Sequence, residues 1–114
     1  MRRSHEFATV IHHGARARRG SVVLYHQPTL TARDAAPRVG LVVGSGVGGS
    51  VVRNQVRRRL RAQLRSRLAV LPAGSGTVVR ALPTAAADDY RSLGDDLDGA
   101  LRRVMRLERA GGEV

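Results

Sequence analysis

The sequence predicts a single small α+β domain over residues 1–114, with its elements in the order α-β-β-α-β-α. Three observations lead there. A chain of 114 residues suffices for one compact domain and is too short for two. Short β-branched runs bounded by Gly and Pro read as strands, while two longer stretches repeat apolar residues every three or four positions and read as helices. A strand, a long helix and a further strand follow one another, which implies a parallel pair joined by a crossover. Helices on one side of a small mixed sheet complete the expected architecture.

The elements follow in order. Ser4 is placed to cap a short helix over His5–His13, with Phe7, Val10 and Ile11 on one face and Gly14 at its end. Ser21–His26 is a strand by its β-branched content. Pro28 to Pro37 is a polar connection. Arg38–Val43 is a second strand, apolar enough on both faces to be expected in the middle of the sheet. After the glycine-rich turn Gly44–Gly49, a helix is predicted from Ser50 to Val70, with Val52, Val56, Leu60, Leu64, Leu68 and Leu71 along its apolar stripe. Thr77–Leu82 is a strand closed by Pro83. The last helix should run from Ala87 to Arg109, with Tyr90, Leu93, Leu97, Leu101 and Val104 on one stripe. Asp88 and Asp89 stand at its positive end; Arg102, Arg103, Arg106 and Arg109 lie toward its negative end. Gly94 and Gly99 each cost that helix about 1 kcal/mol relative to Ala. Residues 1–3 and 110–114 are expected to fray.

Composition narrows the function. The net charge is +11, and every one of the 20 basic residues is Arg. Residues 1–87 hold fifteen arginines against Glu6 and Asp34, whereas residues 88–114 hold five against seven acids. A domain this basic attracts a polyanion, for which nucleic acid is the default partner. Arg suits phosphate because its planar fork donates two parallel hydrogen bonds. The absence of cysteine excludes disulfides, thiolate catalysis and Cys-based zinc sites. No secretory segment follows Met1, and runs such as Gly40–Val43 are too short to span a membrane, so a cytoplasmic protein is expected.

The predicted helix from Ser50 carries seven arginines between Arg53 and Arg67 with no acid among them. Arg58, Arg61 and Arg65 share one face, with Arg57 at its margin and Arg59 on the other flank of the apolar stripe. Like charges at these spacings repel, and a bound polyanion supplies the missing counter-charge. Gly44-Ser45-Gly46-Val47-Gly48-Gly49 fits the dinucleotide fingerprint G-x-G-x-x-G, but no acid stands between Asp34 and Asp88 to hold a ribose. Ser50 stands where a P-loop needs Lys. The turn is better read as a close backbone approach or an anion seat at the helix N-terminus. His5, His12, His13 and His26 show no metal-ligand spacing, and no side-chain set points to catalysis by the protein itself.

Val51-Val52-Arg53-Asn54-Gln55-Val56-Arg57-Arg58-Arg59-Leu60-Arg61 closely resembles the signature helix of the bacterial ribonuclease P protein family. Glu6-Phe7 with Val10, Ile11 and Gly14 resembles that family's first helix. Val22–Tyr25, Arg38–Val43 and Val47-Gly48 resemble its strands and the turn into the signature. The likeness runs over residues 1–107 or so. It departs at Gln55, where the family usually has Arg, at Gly44-Ser45-Gly46, where two lysines are common, and at Ile11, where a second aromatic is common.

The resemblance implies a left-handed crossover around the signature helix and two nucleic-acid surfaces. Arg53, Asn54, Arg57, Arg58 and Arg61, continued by Arg65, would face a catalytic RNA. A cleft between the first helix and the sheet, floored by Phe7 and Tyr25, would hold the single-stranded 5′ leader of precursor tRNA. Catalysis would reside in the RNA with its Mg²⁺, the protein binding no cofactor or metal and acting as a monomer, one per RNA. The rivals are a ribosomal or duplex-RNA structural protein and a nucleotide-binding module using Gly44–Gly49.

Overall fold

The computed structural model describes residues 4–112, and side chains from His5 to Glu108. Helix α1 (Ser4–His13) is followed by strands β1 (Ala15–Arg19), β2 (Val22–Gln27) and β3 (Arg38–Val42). Helix α2 (Ser50–Arg65), strand β4 (Gly76–Ala81) and helix α3 (Tyr90–Gly112) complete the chain. The four strands form one mixed sheet in the order β1-β2-β4-β3; β3 and β4 are parallel and the other pairs antiparallel. The expected α+β class and the parallel β3–α2–β4 unit are both present.

Four expectations are corrected. Strand β1 was not foreseen, because Ala-Arg-Ala-Arg-Arg has little intrinsic strand preference. It forms by pairing Arg19 with Val22 across the two-residue turn Gly20-Ser21, where Gly20 takes φ 54°, a backbone angle that disfavours other residues. Strand β3 lies at the sheet edge rather than its centre. It is apolar because both its faces are covered: Val39 and Leu41 pack against one core cluster, Val42 against another. The helices occupy both sides of the sheet. Val22, Leu24, Val79 and Ala81 meet α2 and α3, whereas Val23, Tyr25 and Val78 point the opposite way and meet Val10 of α1. Alternating side chains along a strand make this division unavoidable.

The helix boundaries also shift. Helix α2 stops at Arg65, and the chain continues as a 3₁₀ turn at Leu68–Val70, leaving Leu68 41% exposed. Helix α3 starts at Tyr90 because Asp89 caps it, its Oδ1 accepting from the Ser92 backbone N–H at 2.7 Å. Tyr90 is therefore 49% exposed and off the buried stripe. Leu93, Leu97, Ala100, Leu101 and Val104 carry the stripe instead. The helix persists to Gly112, three residues beyond the expected end. The cap expected from Ser4, the charge of Arg109 and the ends at 1–3 and 113–114 lie outside the described residues.

Polar contacts fix α3 in place. Arg67 donates to Asp98 Oδ1 at 2.6 Å and Oδ2 at 3.1 Å, to Gln63 Oε1 at 2.6 Å and to the Gly94 carbonyl at 3.3 Å. Gln63 Nε2 donates to the Tyr90 carbonyl at 2.5 Å. A Cβ on Gly94 would sit 2.8 Å from Gln63, so glycine makes room for this lock. At the other end, His26 Nδ1 donates to Glu108 Oε1 at 2.5 Å, tying α3 to the buried end of β2.

Leu97 is fully buried between α3 and the sheet, and Leu97→Ala should lower unfolding free energy by about 2–5 kcal/mol in a urea titration. A loss below ~1 kcal/mol would mean that α3 is not packed as described. Asp98 is held below the ordinary carboxylate range, first by the Arg67 hydrogen bond and then by the Arg67 and Arg102 charges. The folded state thus favours the ionised form, so the pair stabilises at neutral pH and loses its effect as pH falls below about 3.9. Because the Asp98 side chain is 44% exposed, Asp98→Asn should cost under ~1 kcal/mol at neutral pH and less at an acid pH below about 3.9. Equal losses at both pH values would contradict the ion pair.

Candidate nucleic-acid interface

Helix α2 has two faces with different fates. Val56, Leu60 and Leu64 are buried in the main core, which turns the remaining positions outward. Of the seven arginines, Arg59 and Arg67 are drawn into protein contacts. Arg59 donates to the Asp88 carbonyl at 3.2 Å and Arg67 joins the α3 lock. Arg53, Arg57, Arg58, Arg61 and Arg65 meet no carboxylate among the described residues. Arg58, Arg61, Arg65 and Asn54 are exposed. Arg57 donates to Asn54 Oδ1 at 3.0 Å, so that pair forms one fork at the head of the helix. Arg53 is half-buried, and its Nε is enclosed without a hydrogen-bond partner among the described residues. All six residues expected to contact RNA stand together on α2.

The aromatic residues are placed differently from expectation. Phe7 and Tyr25 share a small core cluster between α1 and the sheet but line separate hollows. The first, about 380 Å³, is lined by Phe7 of α1, by Val39, Gly40 and Leu41 of β3, and by Arg57, Arg61, Leu64 and Arg65 of α2. The Phe7 ring lies over Gly40, where a Cβ would come within 2.4 Å of it. Nearby, the buried Glu6 accepts from Arg38 at 2.9 Å and ties α1 to the edge strand β3. The second hollow, about 260 Å³, is lined by Ile11, Tyr25, Val42, Arg80 and the Gly44–Val47 turn. Tyr25 is only 9% exposed, so it is a core residue with one edge on the surface.

One feature escaped the sequence reading: α2's arginines and Phe7 wall the same hollow. An apolar ring and three arginines around one hollow suit a nucleotide, with base on ring and phosphate on arginine. The glycine turn is also clarified. Gly44 and Gly49 face open space, and a Cβ on Gly46 would make only an ordinary contact with Pro83 at 3.8 Å. Close packing against the chain itself therefore does not explain these three glycines, whereas at Gly48, with φ 153°, a Cβ would come to 3.0 Å from Val52. The turn leaves an edge strand with a single parallel neighbour, unlike the crevice between divergent parallel strands that dinucleotide sites use.

His12 and His13 are exposed on α1, and His26 is fully buried against Glu108. Among the described residues no three His, Cys, Asp or Glu side chains are grouped to hold a metal ion, and no helix is long and apolar enough to cross a membrane.

Comparison with known proteins agrees with this fold. The structure is similar to the RNase P protein of Staphylococcus aureus, with a TM-score of 0.76 at 18% identity over 90% of this chain and 91% of that one. It is also similar to the RNase P protein of Thermotoga maritima, with a TM-score of 0.74 at 22% identity over 93% and 94%. These likenesses speak for the fold. In sequence, the ribonuclease P protein component of Thermobifida fusca is 50% identical over 111 residues, covering 93% of this chain and 76% of that protein. That of Streptomyces griseus is 46% identical over 111 residues, covering 92% and 90%. The Ribonuclease P family model matches residues 1–105, and the chain belongs to that family.

Proposed function

We propose that this chain is the protein subunit that docks on the catalytic RNA of ribonuclease P and holds the 5′ leader of precursor tRNA during maturation. The observation that carries the reading is the set of five arginines on α2 that meet no carboxylate among the described residues, while the opposite face of the helix is locked in the core. Arg53, Asn54, Arg57, Arg58, Arg61 and Arg65 bind RNA phosphates. Phe7, beside Arg57 and Arg61, receives a leader nucleotide in the larger hollow, and Tyr25 with Arg80 borders a second seat. Gln55 contributes no charge to the interface.

In this reading Mg²⁺ enters with the RNA, and phosphodiester hydrolysis belongs to the RNA. The protein's part is electrostatic and positional. It lowers the repulsion between two polyanions and restrains the leader, acting as a monomer, one per RNA, in the cytoplasm.

Adding the purified chain to a bacterial ribonuclease P RNA and precursor tRNA at low magnesium should restore 5′ processing; no restoration would reject this role in favour of a ribosomal or duplex-RNA protein. With about 6–8 phosphate contacts, log K for the catalytic RNA should fall against log salt with a slope near −4 to −7. A slope near −1 is incompatible with the arginine face. Phe7→Leu keeps apolar bulk but removes the ring, so affinity for leader-bearing substrate should drop about 5- to 150-fold, the range of one base stack. Affinity for mature tRNA should stay the same, and equal losses on both would remove Phe7 from the leader seat.

A further inference from the structure

A second concentration of guanidinium groups lies at the opposite edge of the sheet from the hollow beside α2. Between β1 and α3 runs a groove of about 170 Å³ lined by Arg18, Arg19, Gly99, Arg102, Arg103 and Arg106. All five arginines are exposed, and none forms an ion pair among the described residues. Of the neighbouring acids of α3, Asp98 is bonded to Arg67, although the Arg102 charge also acts on it. Glu108 is bonded to His26, and Asp95 is exposed one turn before Gly99. Asp96 is held at the β1–β2 turn, its Oδ2 accepting from the Ser21 backbone N–H at 3.1 Å. Gly99 has a specific part in the groove. A Cβ there would sit 3.1 Å from Cγ, Cδ and Cζ of Arg19, so the missing side chain lets Arg19 lie flat along α3. That accounts for a glycine inside a helix, where Ala is otherwise preferred.

Two features identify what such a groove takes. It presents only guanidinium groups and a backbone floor, with no aromatic ring for a base and no apolar side chain to enter a lipid layer. Its ligand is therefore a run of phosphates read without sequence preference. β1 and β3 are the two edges of a four-stranded sheet, so at about 4.8 Å per strand they stand roughly 14 Å apart. The groove and the hollow walled by β3 and α2 thus open at opposite edges, and each can engage its own tract of backbone.

We propose that the β1–α3 groove is a second phosphate-binding surface, which grips a segment of structured RNA separate from the one docked on α2. This rests on reading the chain as an RNA-binding subunit, and the test keeps the two readings apart. The full chain carrying Arg19→Gln, Arg102→Gln, Arg103→Gln and Arg106→Gln is titrated with a bacterial ribonuclease P RNA over a range of salt. Its circular dichroism is compared with that of the unaltered chain. An Arg57→Gln, Arg58→Gln, Arg61→Gln chain serves as control.

The groove variant should keep its fold, bind at least tenfold more weakly at moderate salt, and show a salt slope shallower by about 2–4. In hydroxyl-radical footprinting it should lose protection of one RNA segment while the segment protected through α2 stays covered. Unchanged affinity and slope in the groove variant, with loss in the control, would overturn the groove and leave the α2 interface standing. No loss in either would overturn the RNA-binding reading and the groove with it. If phosphatidylglycerol vesicles bind the unaltered chain but not the groove variant, while RNA binds both equally, the groove is a lipid site and the proposal fails.

Discussion

The fixed orientation of α2 is the constraint on which the rest of the structure depends. Val56, Leu60 and Leu64 are enclosed between the sheet and α3, so the helix cannot turn about its axis without driving guanidinium groups into the core. The arginines are thereby presented as a rigid outward face rather than as mobile charges. Packing on one side of a helix thus sets the electrostatics on the other. Repulsion along that face disfavours the free protein modestly and favours any state in which phosphates lie against it.

Much of this was legible in the sequence because the signals were local. The stripe Val56, Leu60, Leu64 and the arginines between its members lie within a few turns of one helix, so periodicity alone separates core from surface. The same holds for α1, β2 and the buried side of α3. What was not legible depended on pairing between distant segments. Arg38–Val43 reads as a central strand from its apolar content, yet β3 is an edge strand whose two faces meet the clusters that hold Leu64 and Phe7. Nothing local distinguishes the two. Strand β1 was hidden by its Ala-Arg composition, although Gly20-Ser21 before a β-branched run is a recognisable hairpin signal.

Arginine itself plays two parts here, and composition cannot sort them. Arg38, Arg59 and Arg67 stabilise the fold by binding Glu6, the Asp88 carbonyl and Asp98. Those acids are far away in sequence, so the distinction appears only once the chain is folded. The seven acids after residue 87 look like an acidic tail in sequence. In the structure Asp89 caps α3, while Asp96, Asp98 and Glu108 bind the rest of the domain. Their engagement leaves the basic surfaces unneutralised. Joining Phe7 to the arginines of α2 likewise needed the tertiary fold, since α1 and α2 are separated by three strands.

The central claim concerns which guanidinium groups meet phosphate, and NMR of the arginine Nε–Hε resonances measures that one residue at a time. On addition of a bacterial ribonuclease P RNA, the signals of Arg53, Arg57, Arg58, Arg61 and Arg65 should shift or broaden while Arg67, held by Asp98, stays in place. Perturbation of Arg67 with the five others unmoved would contradict the account.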